Sequence, residues 1–347
     1  MARGKPAGVT AGADASELER RVEAFYADSS WTLDLREHAG LDVEAFAELF
    51  ACTCRHRDLV RAPIPLPAWA TELEGEACEA KRAEVTGTRG WSSAPDAAAI
   101  LHREYSGRYA HKRKLYREWL ESLERVREPG RELRLLDYGC GAAPFSQLAL
   151  SYPEVRCTLA DVDARLLDYL AFRSARRWGD RVAVHRLRAT PDRCPAHTRV
   201  RVENTGLTGR FRAILLTDVL EHTLDPLGEL LRLFRHLEPG GVLYVNFPHT
   251  IQGDWHTPEA WYLQRWCFAL LRGTCRRLGP HAWQRRPGAA AGMALQVAGA
   301  LHAALARRSR RFARRYFEEH GEELARVVRS KGREISAQDL LASVDAS

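Results

Sequence analysis

The sequence predicts an α/β fold: a doubly wound parallel sheet with helical additions at both ends. Three observations carry this. From Leu133 onward, short apolar runs alternate with amphipathic stretches, the rhythm of strand–helix units. Leu135-Leu136-Asp137-Tyr138-Gly139-Cys140-Gly141 reads as a buried strand running into a glycine turn and then a helix. The next strand-like run ends on an acid, Asp161, about 20 residues beyond that turn, the spacing of a ribose-binding carboxylate.

Residues 1–15 are small and polar and read as a disordered tail. Residues 16–104 form a helical N-terminal segment. Leu18, Val22, Phe25 and Tyr26 recur at helical spacing, and the pattern is helical from Ser16 to about Phe50. Pro63, Pro65 and Pro67 make an extended connector, because each proline removes a donor. A helix is expected from about Ala97 to Val126, with Tyr105, Tyr109, Tyr116 and Trp119, closed by Glu128-Pro129-Gly130.

Residues 105–285 hold the alternating domain. Strands are expected at Leu133–Tyr138, Val155–Ala160, Val182–Leu187, Ala213–Thr217 and Val242–Asn246. Helices are expected at Ala143–Ser151, Ala164–Trp178 and Pro226–Leu237, the last stopped by Glu238-Pro239-Gly240-Gly241. Residues 189–209 read as a polar connection. Residues 286–347 form a basic helical extension. Gly288–Ala306 is Ala-rich and uncharged, and reads as a buried or interfacial helix rather than a span, since Gln296 and His302 interrupt it. Arg307, Arg308, Arg310, Arg311, Arg314 and Arg315 follow and read first as a solvated face. A peripheral contact with anionic lipid or nucleic acid is the alternative.

The composition fits a folded protein of 347 residues, 45% hydrophobic and 28% charged, and excludes a chain dominated by disorder. The net charge of +7 is spread along the whole chain. The eight cysteines are scattered, and Met1-Ala2-Arg3-Gly4-Lys5 opens no apolar signal, so a reducing, cytoplasmic compartment is expected. Cys52, Cys54 and His56 cluster, but no second ligand pair follows at zinc spacing, so no metal is expected.

Four features occur in order: Asp137-x-Gly139-x-Gly141, Asp161, then Asp218-Val219-Leu220-Glu221-His222 with Asp225-Pro226, then Glu238-Pro239-Gly240-Gly241. A dinucleotide turn would place a small residue where Pro144 stands. On these motifs, over about residues 105 to 260, the chain resembles the class I S-adenosylmethionine-dependent methyltransferases. The resemblance is to the broad group that includes the ubiquinone-pathway enzymes. It implies a doubly wound, Rossmann-like seven-stranded sheet whose last strands form a hairpin. It implies that Asp137, Gly139, Cys140 and Gly141 surround the methionine end of S-adenosylmethionine, that Asp161 holds the ribose with Val162 beside the adenine, and that Asp218 and Val219 line the floor near the substrate mouth. Where the family often has an aspartate facing the adenine amine, this chain has Ala189-Thr190, with Asp192 slightly later.

The expected reaction is methyl transfer to a small organic acceptor at oxygen, nitrogen or carbon. The alternatives are an RNA or protein acceptor, and a non-catalytic binding subunit with the same fold. An acceptor hydroxyl needs a base, and histidine suits that task near neutral pH. The candidates are His222, His249 and His256. Trp255, Trp261 and Tyr262 are candidates for an aromatic wall around a flat substrate, or else ordinary core. The oligomeric state is left open.

Overall fold

The computed structural model describes residues 15–43, 45–46, 97, 100–101, 104, 112–191, 200–204, 206–247, 256–329 and 335–345. The chain divides into two compact units.

The first unit comprises residues 1–132, 141–155 and 165–182. Its described helices are α1 (Ala15–Ala27), α2 (Ser30–His38), α3 (Arg113–Glu124), α4 (Pro144–Ala149) and α5 (Ala164–Arg177). The helical pattern expected from Ser16 is divided between α1 and α2. Asp28 Oδ1 accepts from the Ser30 N–H at 2.9 Å, and this local turn competes with helix continuation. Aromatic packing joins α1, α3 and α4, with Tyr116 edge-on to Phe25 (5.2 Å) and to Phe145 (4.7 Å). The Trp119 indole donates to the Phe145 carbonyl at 3.2 Å. Tyr105, Tyr109, the three prolines and the Cys52–His56 cluster lie outside the described residues.

The second unit comprises residues 133–140, 156–164 and 183–347. Its sheet is built from β1 (Leu133–Tyr138), β2 (Val155–Asp161), β3 (Val182–Arg186), β6 (Phe211–Leu216), β7 (Leu237–Val245), β8 (Cys275–Arg277) and β9 (Ala282–Arg285). The strand order is β3-β2-β1-β6-β7-β9-β8. β1 pairs parallel to β6 and β6 to β7, while β9 runs antiparallel to β7 and to β8. This is the seven-stranded sheet closed by a hairpin. The reversal of order between β1 and β6 creates the crevice at the carboxyl ends of the strands where such sheets bind ligands.

The polar connection expected over 189–209 is corrected. β4 (Arg188–Pro191) and β5 (Val200–Asn204) pair antiparallel as a separate two-stranded sheet. Val200 and Val202 alternate with polar residues, the period-2 signal of a half-buried strand, and Val202 joins the core. The glycine cluster before Val242 is also not a turn outside the sheet. β7 already begins at Leu237 and carries the cluster as a bulge opposite Phe211–Ala213. A Cβ on Gly241 would lie 2.8 Å from the Arg212 carbonyl oxygen, so only glycine lets the two backbones approach.

Three helices follow the strands of this unit: α6 (Pro226–His236), α7 (Pro258–Thr274) and α8 (Ala289–Arg329). A short α9 (Ala337–Asp345) closes the chain. α6 starts on Pro226 with Asp225 as its cap, whose Oδ1 accepts from Gly228 N–H at 2.9 Å. The Ala-rich stretch and the arginine run belong to one helix of 41 residues. The stretch is not buried: Met293 is 63% exposed and Val297 54%.

Candidate cofactor and acceptor site

The turn after β1 is held by main-chain bonds. Gly139 N–H and Cys140 N–H both donate to the Ala160 carbonyl, at 2.7 and 3.1 Å, tying the turn to the end of β2. Gly139 (φ +69°) and Gly141 (φ +52°) both have left-handed backbone, but the two glycines do different work. A Cβ on Gly139 would stand 2.6 Å from Val219 Cγ2, so Val219 itself fills that space. A Cβ on Gly141 would meet nothing within 4 Å. Of the two, Gly141 is the position where a ligand can approach bare backbone. Two residues on, Ala143 is also left-handed (φ 56°), before Pro144 opens α4.

Tyr138 braces the turn from below. Its hydroxyl donates to Glu229 Oε2 at 2.7 Å, and Arg232 Nη1 donates to the same oxygen at 3.0 Å. Burial pushes the Glu229 carboxyl above its ordinary range, partly offset by Arg232 and Tyr138.

Three carboxylates lie at the strand ends. Asp137 is buried at the end of β1, and Asp161 is buried at the end of β2. Asp161 Oδ1 accepts from the N–H groups of Val162 (2.7 Å) and Asp163 (3.0 Å), which fixes its rotamer. The Cys140 thiol sits in the field of both. Burial first, then Asp161 and Asp137, raise it well above the usual thiol value, so it stays protonated and is no nucleophile. Asp218 follows β6 in left-handed conformation (φ 54°). Asn246, just past β7, holds it there reciprocally. Asp218 N–H donates to Asn246 Oδ1 at 2.8 Å, and Asn246 Nδ2 donates to Asp218 Oδ1 at 2.7 Å.

One turn further, His222 N–H donates to the Val219 carbonyl at 3.0 Å in a short 3-10 turn, Leu220–His222. Thr257 N–H donates to the Glu221 carbonyl (3.0 Å), and Thr257 Oγ1 donates to the Thr223 carbonyl (3.2 Å). Thr257 Oγ1 also caps α7 by accepting from Ala260 N–H. This clasp brings His256 against His222, with ring centroids 5.8 Å apart and edge to face. Glu221, which precedes His222 in the chain, is 4% exposed, and its Oε2 has no hydrogen-bond partner among the described residues. Burial, with a smaller push from Asp218, raises its carboxyl to about 8.

The structure thus gathers Asp137, Gly139, Cys140, Asp161, Asp218 and Val219 around the carboxyl ends of β1, β2 and β6, with Val162 next to Asp161. It joins two of the three candidate bases. His249, Trp255 and Asp192 lie outside the described residues. Trp261 and Tyr262 instead pack on Phe312 of α8, at 5.5 and 5.3 Å. Three participants escaped the sequence reading. Glu221 stood inside a quoted motif, with Leu220 beside it as the signal of burial. Asn246 was predictable only from the adjacency of β6 and β7. Ala143 carries no signal for its left-handed backbone.

The donor set fits a nucleoside sulfonium. Buried carboxylates suit a cation and a ribose diol, and the open Cβ position at Gly141 leaves room beside the main chain.

A family model described as a methyltransferase domain matches residues 109–290. No curated protein matches the chain. Among solved structures, PKMT2 from Rickettsia typhi in complex with AdoHcy is similar at 18% identity over 35% of this chain and 21% of that one, with a TM-score of 0.28. A precorrin-6y C5,15-methyltransferase from Geobacter metallireducens is similar at 17% identity, over 40% and 64%, with a TM-score of 0.28. An O-methyltransferase family protein from Burkholderia thailandensis is similar at 13% identity, over 58% and 63%, with a TM-score of 0.37. The chain spans less than two thirds of each of these three proteins.

Proposed function

We propose that this chain, which belongs to the methyltransferase domain family, moves a methyl group from S-adenosylmethionine to a small organic acceptor. S-adenosylmethionine, when bound, supplies an activated methyl group on a sulfonium sulfur. What the protein adds is placement and proton management. Asp161 takes the ribose hydroxyls, with Val162 beside the adenine. Asp137, Gly139, Cys140 and Gly141 frame the amino-acid end, and Asp218 and Val219 form the floor. The His222–His256 pair carries the reading toward an acceptor with a proton to lose. Two imidazoles edge to face, one turn from the Val219 that covers Gly139, are placed to take that proton. The raised Glu221 carboxyl keeps its proton at neutral pH and so adds no second negative charge beside Asp218. The buried Cys267 and Cys275, in no disulfide, support a reducing, cytoplasmic setting.

An RNA or protein acceptor is the rival, and it rests on the exposed arginines of α8. It requires a steep loss of activity with salt, because phosphate contacts release counterions.

Calorimetry of S-adenosylmethionine with Asp161→Ala tests the site. Loss of charge-assisted hydrogen bonds worth about 1.5–3 kcal/mol weakens binding about 10- to 100-fold. Unchanged affinity would place the cofactor elsewhere.

A further inference from the structure

The long helix α8 changes character along its length. Ala289–Ala306 holds no charged side chain, and Arg307, Arg308, Arg310, Arg311, Arg314 and Arg315 follow within nine residues. No Asp or Glu occurs from Ala289 to Phe317. At 100° per residue, Met293, Val297, Leu301, Arg308, Arg311 and Arg315 fall within about 80° of one another. All six are exposed. One solvent-facing stripe is therefore apolar for roughly 27 Å and cationic beyond it. Arg308, Arg311 and Arg315 make no ion pair among the described residues; of the six arginines, only Arg314 is paired, to Glu318 at 3.3 Å. At the junction, Trp261 of α7, itself 43% exposed, stacks on Phe312. Beside the stripe, an apolar groove of about 410 Å³ is lined by Trp266, Leu270, Met293, Val297 and Leu301, among others.

We propose that this face of α8 docks on the surface of an anionic lipid bilayer. Met293, Val297 and Leu301 enter the acyl boundary, Trp261 sits at headgroup depth, and the arginines meet lipid phosphates. Each part of the stripe then finds its matching layer. By length and composition alone the helix could cross a membrane, but the side of it next to the stripe is committed to the fold. Ala291 and Leu305 are buried. Ala294 lies against Gly273, where a Cβ would be 3.2 Å away. His302 Nε2 bonds Asp225 Oδ2 at 2.6 Å. A spanning helix would need lipid on every side. A nucleic acid would use the arginines and leave the apolar half in water. A second copy fits poorly: antiparallel pairing sets guanidinium groups on an apolar stripe, and parallel pairing stacks arginine on arginine.

The test is flotation of the full chain with phosphatidylcholine vesicles, with and without phosphatidylglycerol. The protein floats with the anionic vesicles, only weakly with the neutral ones, and less as salt rises. At about fivefold per arginine, the triple change R308Q/R311Q/R315Q lowers partitioning about 100-fold. M293S/V297S/L301S lowers it at least tenfold without altering charge. All six positions are exposed, and thermal melting checks that the variants fold. Quenching of wild-type fluorescence by brominated lipid, diminished in Trp261→Phe, gives a readout independent of the multiple variants. No flotation, equal flotation with neutral vesicles, or indifference to the arginine changes overturns the proposal. So does a dimer that the serine changes dissolve, or RNA capture in place of vesicle binding. Vesicle binding requires no methyl transfer, so failure of one reading leaves the other standing.

Discussion

Each unit of this protein buries a glutamate, and the two are treated oppositely. In the helical unit, Glu104 Oε1 accepts from Arg173 Nη1 at 2.6 Å, from the Tyr169 hydroxyl at 3.0 Å and from Gln147 Nε2 at 3.3 Å. Arg173 also reaches Asp34 at 3.5 Å. In the sheet unit, Glu221 is also buried, but one of its oxygens has no partner among the described residues, and it holds its proton up to about pH 8. The contrast separates a charge that organises helices from a carboxyl whose desolvation is left standing beside the candidate bases. Unsatisfied buried groups of the second kind concentrate at functional sites.

The largest effect should come from breaking the ion-paired cluster. Arg173→Met leaves Glu104 and Asp34 buried without their common partner, at a cost of about 3–5 kcal/mol in urea unfolding. Adding Glu104→Gln should return part of it. A loss under about 1 kcal/mol would mean that the cluster is not a unit.

Glu221 predicts a pH dependence of opposite sign to the usual stabilised carboxylate. Its folded value, about 8, exceeds the unfolded value near 4.5. The native state therefore holds the extra proton between these limits, and stability falls as pH rises through that window. At about 1.4 kcal/mol per unit, the full loss is at most about 5 kcal/mol. Glu221→Gln should flatten that slope and be the more stable protein at pH 8. Parallel slopes in urea titrations would show that Glu221 has found a partner.

The smallest effect sharpens the comparison at the rim of the site. Asn246→Ala removes both bonds that hold Asp218 left-handed, costing about 1–2 kcal/mol in thermal unfolding. It should weaken S-adenosylmethionine binding more than its small structural cost implies. Equal affinity would remove Asp218 from the floor.

Much of this architecture was legible before any coordinates. β1, β2 and α5 fall where their apolar periods put them, because a strand buried on both faces leaves little choice of side chain. The misplaced elements share a cause. The bulge in β7 looks like a turn because glycine serves both. The β4–β5 pair is short and polar, so its period is brief. In α8 alanine tolerates water and core alike, so the sequence left burial or an interface open and only packing partners decide between them.

The sequence by itself determined the family, the sheet, and the acids at 137, 161 and 218, since these follow from local chemistry at fixed spacing along one chain. Tertiary structure alone decided which space is filled by Val219, that His256 meets His222, that Asn246 props Asp218, and that Glu104 is ion-paired while Glu221 Oε2 meets no partner among the described residues. Those facts depend on distances between segments far apart in the chain. No local pattern encodes them, because burial and pairing are properties of neighbours and not of residues.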